Sequence, residues 1–208
     1  MPAVSETLVR EYFELHEFLV RQPRKYIAPA RREQEDDIDF FVLNPRPVQG
    51  KANLPFVLTS ANLPCIARAI VVVKGWHTET FSSGRLANAP EILRFVEPRI
   101  FRQAVRFFDT EAVLKLLVVP SLPQETQARD QSLNLLRSRG VDGVLLFRTL
   151  LADLIARVEA NRNYQKSDLL QMIRILKTYD LFKSPQLELF KPGRRRSGKK
   201  TSPAPSGD

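Results

Sequence analysis

The sequence predicts an α/β fold, in which a mixed central sheet of about five strands is flanked by helices. Hydrophobic residues make up 43% of the 208-residue chain, which is enough to bury a core. Several apolar runs, such as AIVVV and AVLKLLVVP, have the length and composition of buried strands. Between them lie segments whose apolar residues recur at helical spacing, and the alternation of the two patterns predicts the fold class.

The first part of the chain predicts a helix and three main strands. Residues 5–17 carry an apolar stripe with Ser5 as a candidate N-cap, which predicts a helix. FLVRQ predicts a short strand that ends at Pro23, and IDFFVLNP predicts a buried strand over residues 38–45. Residues 46–65 predict a loop in which LPFVLT is a possible edge strand. IARAIVVVKGW is the strongest strand pattern of the chain.

The second part predicts helices that alternate with two further strands. Residues 91–108 predict a helical region that is bent or split at Pro98. AVLKLLVVP and GVLLF predict strands, and they flank a helix over residues 125–140 that has Gly140 in the C′ position. LLADLIARVEA and SDLLQMIRILKTYDLF predict the last two helices, the second with Ser167 as its cap. We therefore divide the chain into an α/β domain (1–150), a helical extension (151–182) and a disordered tail (183–208).

The charge of the chain indicates a polyanionic partner. The formal net charge is +9, and residues 191–208 contribute six basic side chains against one acidic side chain, so five of the nine net charges lie there. A basic body with a strongly basic tail favours nucleic acid over other partners. The tail residues expected to contact DNA are Arg194, Arg195, Arg196, Lys199 and Lys200. A basic face with Arg162, Lys166, Arg174 and Lys177 on the last helices is a second candidate for phosphate contacts.

Other classes of protein are disfavoured by composition. The single cysteine, Cys65, allows no internal disulfide, which is typical of a reducing cytoplasm. The longest apolar runs are far shorter than the ~20 residues that a membrane span needs, so we expect no membrane association. Neither a glycine-rich phosphate loop nor a Cys/His spacing typical of zinc sites is present in the sequence.

Three charged residues, two at the ends of predicted strands and one on the first predicted helix, suggest phosphodiester chemistry. Asp39 opens the strand IDFFVL, Lys74 closes the strand AIVVVK, and Glu6 lies in the first turn of the first predicted helix. Carboxylates on neighbouring elements can hold Mg²⁺ through oxygen, and the metal can activate water and neutralise developing charge. A lysine nearby can orient that water or stabilise the same charge.

These residues resemble the motif of the PD-(D/E)XK, or restriction-endonuclease-like, nuclease superfamily. The resemblance covers roughly residues 5–150, and the helix–strand–strand–strand opening with an acid on the first helix is similar to archaeal Holliday-junction resolvases. It implies metal ligation by Asp39 and Glu6, a catalytic role for Lys74, and a further metal contact from the backbone carbonyl of Val73. It also implies Mg²⁺ or Mn²⁺ as the cofactor and DNA as the substrate.

The sequence departs from this motif at one position. The superfamily has an acid two residues before the lysine, and Val72 stands there in this chain. Either a nearby acid, such as Glu79, Glu91 or Glu97, reaches the metal instead, or the site is degenerate and the domain binds DNA without cutting it. Each candidate also has a structural alternative: Asp39 as the partner of an arginine, Lys74 as an edge lysine, Glu6 as a helix-dipole partner.

The C-terminal QLELF resembles the pentapeptide by which bacterial proteins bind the sliding clamp. Gln186, Leu187, Leu189 and Phe190 match that motif, and Glu188 occupies its tolerant position. A short extended segment can place Leu189 and Phe190 in a preformed apolar pocket of a partner. Docking of this segment on its own domain is the alternative.

Three functions follow from these patterns. The first is a clamp-recruited, metal-dependent DNA nuclease of repair or replication. The second is a catalytically inactive, nuclease-like DNA-binding adaptor that keeps the clamp contact. The third is a protein–protein scaffold. We expect a cytoplasmic, nucleoid-associated bacterial protein, and the similarity to resolvases raises a homodimer as a possible state.

Overall fold

A six-stranded mixed sheet forms the centre of the protein. The computed structural model describes residues 2–23, 38–48 and 54–182. The strand order is β1-β2-β4-β5-β6-β3. The strands are β1 (Leu19–Arg21), β2 (Phe40–Leu43), β3 (Val57–Leu58), β4 (Arg68–Val73), β5 (Leu114–Val119) and β6 (Gly143–Leu146).

The pairing between neighbouring strands changes from antiparallel to parallel at β4. β1, β2 and β4 are antiparallel neighbours, whereas β4, β5, β6 and β3 run parallel to one another. Parallel neighbours need crossover connections, and helices supply them between β4 and β5 and between β5 and β6. The predicted α/β class with a mixed sheet is confirmed. The sixth strand is the two-residue β3, which lies in the predicted LPFVLT segment.

Six α-helices and two 3-10 helices are present in the described part. The two 3-10 helices are Ser60–Cys65 and Pro90–Val96. The expected break at Pro98 is confirmed, because the Pro90–Val96 turn ends there and a new helix begins. The short helix after residue 82 was not predicted from the sequence. The α-helices are α1 (Pro2–Leu15), α2 (Ser83–Asn88), α3 (Pro98–Phe108), α4 (Thr126–Ser138), α5 (Phe147–Arg157) and α6 (Asp168–Thr178).

The helices cover both faces of the sheet and bury two separate apolar clusters. Alternate residues of β4 supply the two clusters, as a strand buried on both faces requires. We call the first the α1 cluster, which joins α1, α5 and α6 through residues such as Phe13, Leu154 and Leu170. The second, the α3 cluster, joins α2, α3 and α4 through residues such as Leu86 and Leu136.

No helix in the described ranges has both the length and the apolar character to cross a bilayer. The clamp-binding segment and the basic cluster predicted after residue 182 lie outside the described residues.

Candidate functional site

The two residues at the centre of the predicted site lie at the same end of neighbouring strands. β2 and β4 are antiparallel, with Phe40 opposite Val71, so the start of β2 lies beside the end of β4. Asp39 directly precedes β2, and Lys74 directly follows β4. The structure therefore brings the predicted carboxylate and the predicted lysine to one edge of the sheet.

The carboxylate of Asp39 is part of the hydrogen bonding of the sheet. The backbone N–H of Val73 donates to Asp39 Oδ2 at 2.7 Å, and the N–H of Asp39 donates to the carbonyl of Val71 at 3.1 Å. Phe40 is the register partner of Val71, and Asp39 also donates to Val71, so two residues oppose one, as at a β-bulge. The Asp39 carboxylate accepts the N–H of Val73 in place of a backbone carbonyl. Because Asp39 is only 7% exposed, this charge-assisted hydrogen bond offsets part of the cost of burying its charge.

Val72, which stands where the nuclease motif has an acid, is a core residue. It is 2% exposed and belongs to the α3 cluster together with Ile38 and Ile70. Its neighbour Val73 packs against the opposite cluster, as the alternation of a strand requires. The side chain at position 72 is therefore surrounded by apolar groups.

Glu6 lies on α1, which packs against the α1 cluster. The side chain of Gln22, just beyond β1, donates from Nε2 to Glu6 Oε2 at 2.6 Å. Thr7 and Arg10 complete a small cavity of about 130 Å³ around this pair. The contact ties the first helix to the end of the edge strand.

The described side chains form no cluster of three or more potential metal ligands among His, Cys, Asp and Glu. Of the alternative acids, Glu79 forms a two-point contact with the Arg85 guanidinium at 2.7 and 3.2 Å. Glu91 and Glu97 are exposed at the starts of the Pro90–Val96 turn and of α3. No step through a metal follows from this geometry.

The turn after Lys74 is held against the first helix by a close backbone approach. An ideal Cβ built on Gly75 would lie 2.4 Å from Ser5 Oγ and 2.8 Å from Ser5 Cβ. Ser5 was predicted as an N-cap, but α1 begins at Pro2 and Ser5 is a buried helical residue. Its hydroxyl lies 3.0 Å from Nε2 of His77, whose ring also contacts Phe147. His77 therefore has a structural role between α1 and α5.

A buried polar network joins the other end of α1 to α5. His16 Nε2 lies 2.7 Å from Asp153 Oδ2, and Arg157 Nε lies 3.1 Å from the same oxygen. Burial lowers the pKa of His16 despite the hydrogen bond to Asp153. Burial alone would raise the pKa of Asp153, but the hydrogen bonds from His16 and Ser60 outweigh it and lower that pKa. These shifts describe a neutral imidazole that donates to a carboxylate.

Tyr12 extends this network towards the Ser60–Cys65 turn. Its hydroxyl lies 2.9 Å from Ser60 Oγ, and burial raises the pKa of Tyr12 to about 12. The network stabilises the packing of α1 on α5 and lies at the opposite end of α1 from Ser5 and Glu6.

The predicted basic face on the last helices is largely occupied by contacts within the protein. Lys177 Nζ donates to the carbonyl of Val158 at 2.6 Å, and Arg174 Nε donates to the carbonyl of Ala160 at 3.0 Å. Arg162 pairs with Glu159 at 3.1 Å. These cations satisfy groups at and just beyond the end of α5, which reduces their availability for phosphates.

A groove that was not predicted from the sequence lies between the end of β1 and the end of α3. We call it the β1–α3 groove, and its volume is about 900 Å³. The available signal was the spacing of the arginines at 99, 102 and 106, which puts three cations on one side of a predicted helix without an acid. The groove is lined by Arg21, Gln22, Pro23, Phe41, Gln103, Arg106 and Phe107.

Comparisons with known proteins do not assign the chain to a family. No protein-family model, no curated protein and no solved structure matches it. The predicted clamp-binding and DNA-binding positions of the tail lie outside the described residues. They are Gln186, Leu187, Leu189 and Phe190 for the clamp, and Arg194, Arg195, Arg196, Lys199 and Lys200 for DNA.

Proposed function

We propose that this protein is a DNA-binding module of nuclease-like architecture that acts in DNA repair or replication and is recruited by the bacterial sliding clamp. The observation that carries the proposal is the basic β1–α3 groove, one lining residue of which, Phe41, follows Asp39 by two positions. The net charge of +9 supports a polyanionic partner independently of this groove.

The order of the first elements supports the nuclease-like part of the proposal. After α1, the strands β1, β2 and β4 are antiparallel neighbours in the sheet, although the two-residue β3 and a 3-10 helix lie between β2 and β4 along the chain. β5 then adds a parallel strand after a helical crossover. This agrees with the helix–strand–strand–strand opening on which the resemblance to resolvase-like nucleases rests. We infer from this order that the fold is restriction-endonuclease-like.

Two observations favour binding without cleavage. Val72 is an apolar core residue at the position of the motif acid. The Asp39 carboxylate accepts the N–H of Val73, which gives it a structural role in the sheet. Lys74 at the same edge adds a positive charge that can attract a phosphate without any metal.

A cleavage and binding panel tests the proposal. Labelled duplex, single-stranded, flap and four-way-junction DNAs are incubated with the full chain in Mg²⁺ or Mn²⁺, and both binding and strand integrity are measured. We expect binding that weakens with salt and strands that stay intact. Absence of binding to every DNA would reject the proposal and favour the protein–protein scaffold.

A metal-dependent nuclease is the second candidate, and the meeting of Asp39 and Lys74 at one sheet edge favours it. Cleavage in the panel that Asp39→Asn abolishes would establish it. Asn is the better substitution because its side-chain oxygen can still accept the N–H of Val73, whereas Ala would leave that buried donor unpaired. A Lys74→Met variant tests the lysine separately.

The clamp contact requires its own experiment with the full chain. We expect the protein to bind a purified bacterial sliding clamp, and Leu189→Ala with Phe190→Ala to abolish that binding. Leu181→Ala with Phe182→Ala is a matched control, because it removes the same residue types just before the motif, where both are exposed. Equal loss in both double variants, or no clamp binding by the unmodified chain, would reject the clamp assignment.

A further inference from the structure

The β1–α3 groove combines positive charge, amide groups and an exposed aromatic ring. Arg21 and Arg106 supply the charge, and Gln22 and Gln103 supply donors and acceptors on the two walls. Phe107 is 40% exposed at the rim, which is unusual for a phenylalanine in a chain that buries most of its large apolar side chains. Among the described residues, no Asp or Glu lines the groove. The described lining is therefore positively charged and also carries an apolar surface.

Arg21 and Phe107 form a single stacked unit. The Arg21 guanidinium carbon lies 4.7 Å from the centre of the Phe107 ring. Phe41, in the floor of the groove, supports that ring at a centroid distance of 4.6 Å. Guanidinium planes and aromatic rings are the two side-chain surfaces on which unpaired bases stack. The pair is fixed by the core beneath it, since Phe41 is 7% exposed.

α3 extends the positive charge along one side of the groove. Arg99, Arg102 and Arg106 are exposed and follow one another at helical spacing. None of the three forms an ion pair with a carboxylate of the described part. Arg99 lies in the first turn, where the helix dipole disfavours a cation, so helix stability does not account for it. Arg102 Nε donates to the carbonyl of Pro98 at 3.3 Å, and of the three only Arg106 lines the groove itself. Exposed arginines without an acidic partner beside a groove are typical of contacts with successive phosphates.

One residue of the groove lining, Phe41, is close in sequence to Asp39. Arg21 lies opposite Phe41 in the register of β1 and β2, and Asp39 precedes Phe41 by two residues. Two residues of a strand span about 7 Å, which is close to the spacing of neighbouring nucleotides in an extended strand. A chain that lies in the groove would therefore reach the candidate site within one nucleotide.

We propose that the β1–α3 groove binds an unpaired stretch of DNA. Arg21 and Arg106 contact its phosphates, and a base stacks on the Arg21–Phe107 pair. The volume of about 900 Å³ lies at the upper end of the range for pockets that enclose a small ligand, which is room for a nucleotide. This inference rests on the proposed DNA-binding function and adds the form of DNA and the residues that hold it.

The test compares single-stranded and duplex DNA with the full-length protein. Binding of labelled dT20 and of a 20-base-pair duplex is measured by fluorescence anisotropy over a range of salt concentrations. We expect Phe107→Ala to weaken dT20 binding about tenfold or more, to leave duplex binding within about twofold, and to keep the salt dependence unchanged. Phe107→Leu keeps an apolar contact with Phe41 and guards against a folding defect, and we expect it to show the same selective loss.

Loss of the groove arginines should instead change the salt dependence of dT20 binding. Arg106→Gln should reduce the slope of log affinity against log salt for dT20 by about 0.7, and Arg21→Gln with Arg106→Gln by about twice that amount. Arg139→Gln, a charge loss at an exposed site at the C-terminal end of α4, is the matched control and should leave the dT20 slope within error. Because the basic tail is identical in every variant, its contribution cancels.

The outcomes separate this inference from the proposed function. If the unmodified chain binds no DNA, both are rejected. If it binds DNA in a salt-dependent manner but the Phe107 and arginine variants match the unmodified chain, only the groove is rejected. Equal losses for dT20 and duplex in a folded Phe107→Leu variant would also reject base stacking. Displacement of dT20 by polyglutamate at equal charge concentration would assign the groove to acidic peptides instead.

Discussion

Gly75→Ala tests the contact that holds the first helix against the end of β4. The added methyl would lie 2.4 Å from Ser5 Oγ and 2.8 Å from Ser5 Cβ, well inside ordinary van der Waals separation. Gly75 has no positive φ, so the backbone itself accepts alanine. The entire penalty therefore comes from the clash with a buried, hydrogen-bonded serine on a helix.

Overpacking of this kind costs about 1–3 kcal/mol. For a chain of this length, that corresponds to a fall in Tm of about 3–10 °C. Thermal unfolding followed by circular dichroism measures it. The matched control is Gly84→Ala in α2, where an added Cβ meets nothing within 4 Å. We expect Gly84→Ala to stabilise the protein by about 0.5–1 kcal/mol, because alanine is the better helix former.

A double variant identifies the cause of the loss. Ser5→Gly removes both clashing atoms, so Gly75→Ala should cost much less in the Ser5→Gly background than in the unmodified chain. Equal effects of Gly75→Ala in the two backgrounds, or a Gly75→Ala variant as stable as Gly84→Ala, would show that α1 does not approach β4 as described.

Four further predictions concern the core, the network and the last helices. Val72→Asp places a carboxylate at a site that is 2% exposed, so we expect the free energy of unfolding in urea to fall by about 3 kcal/mol or more. Mn²⁺ should not restore it, and rescue by the metal would place this position in a metal site. Burial holds the pKa of His16 below its ordinary value of 6.5, so unfolding in mild acid takes up a proton. The urea midpoint should therefore fall as the pH drops below about 6.5, and a His16→Gln variant, which cannot titrate, should lack this dependence. Because burial raises the pKa of Tyr12 to about 12, the free energy of unfolding should hold up to about pH 10 and decline above it. Tyr12→Phe should remove that decline and should cost about 1 kcal/mol for the lost hydrogen bond to Ser60. Lys177→Met should cost about 1 kcal/mol through its contact with Val158, whereas Lys166→Met, at an exposed site, should leave the urea midpoint unchanged.

The elements with strong periodicity could be predicted from the sequence, and those fixed by tertiary contacts could not. The continuous β-branched run of β4 and the break at Pro98 depend on local chemistry and were predicted correctly. The two-residue β3 and the short α2 have too few residues for a pattern, and they exist because neighbouring elements pack against them. The start of α1 was misplaced because Ser5 has the chemistry of an N-cap but is used to contact His77.

The candidate site, too, could be predicted only where local sequence determines it. Strand order follows from chain order often enough to predict that Asp39 and Lys74 lie at the same end of neighbouring strands. It does not predict that the Asp39 carboxylate accepts the N–H of Val73 in place of a backbone carbonyl. The β1–α3 groove was missed because it joins Arg21 and Phe107, which are 86 positions apart and carry no motif. Only the packing of α3 beside the edge strand brings them together.

The most direct measurement is the salt dependence of DNA binding by the full-length chain, with dT20, duplex and four-way junction titrated at several salt concentrations in the presence of Mg²⁺. We expect log affinity to fall linearly with log salt, a slope for dT20 that depends on Arg21 and Arg106, and DNA that is recovered intact. Binding that is absent or independent of salt would contradict the DNA-binding function. Strands cut in an Asp39-dependent manner would show that the protein is a nuclease.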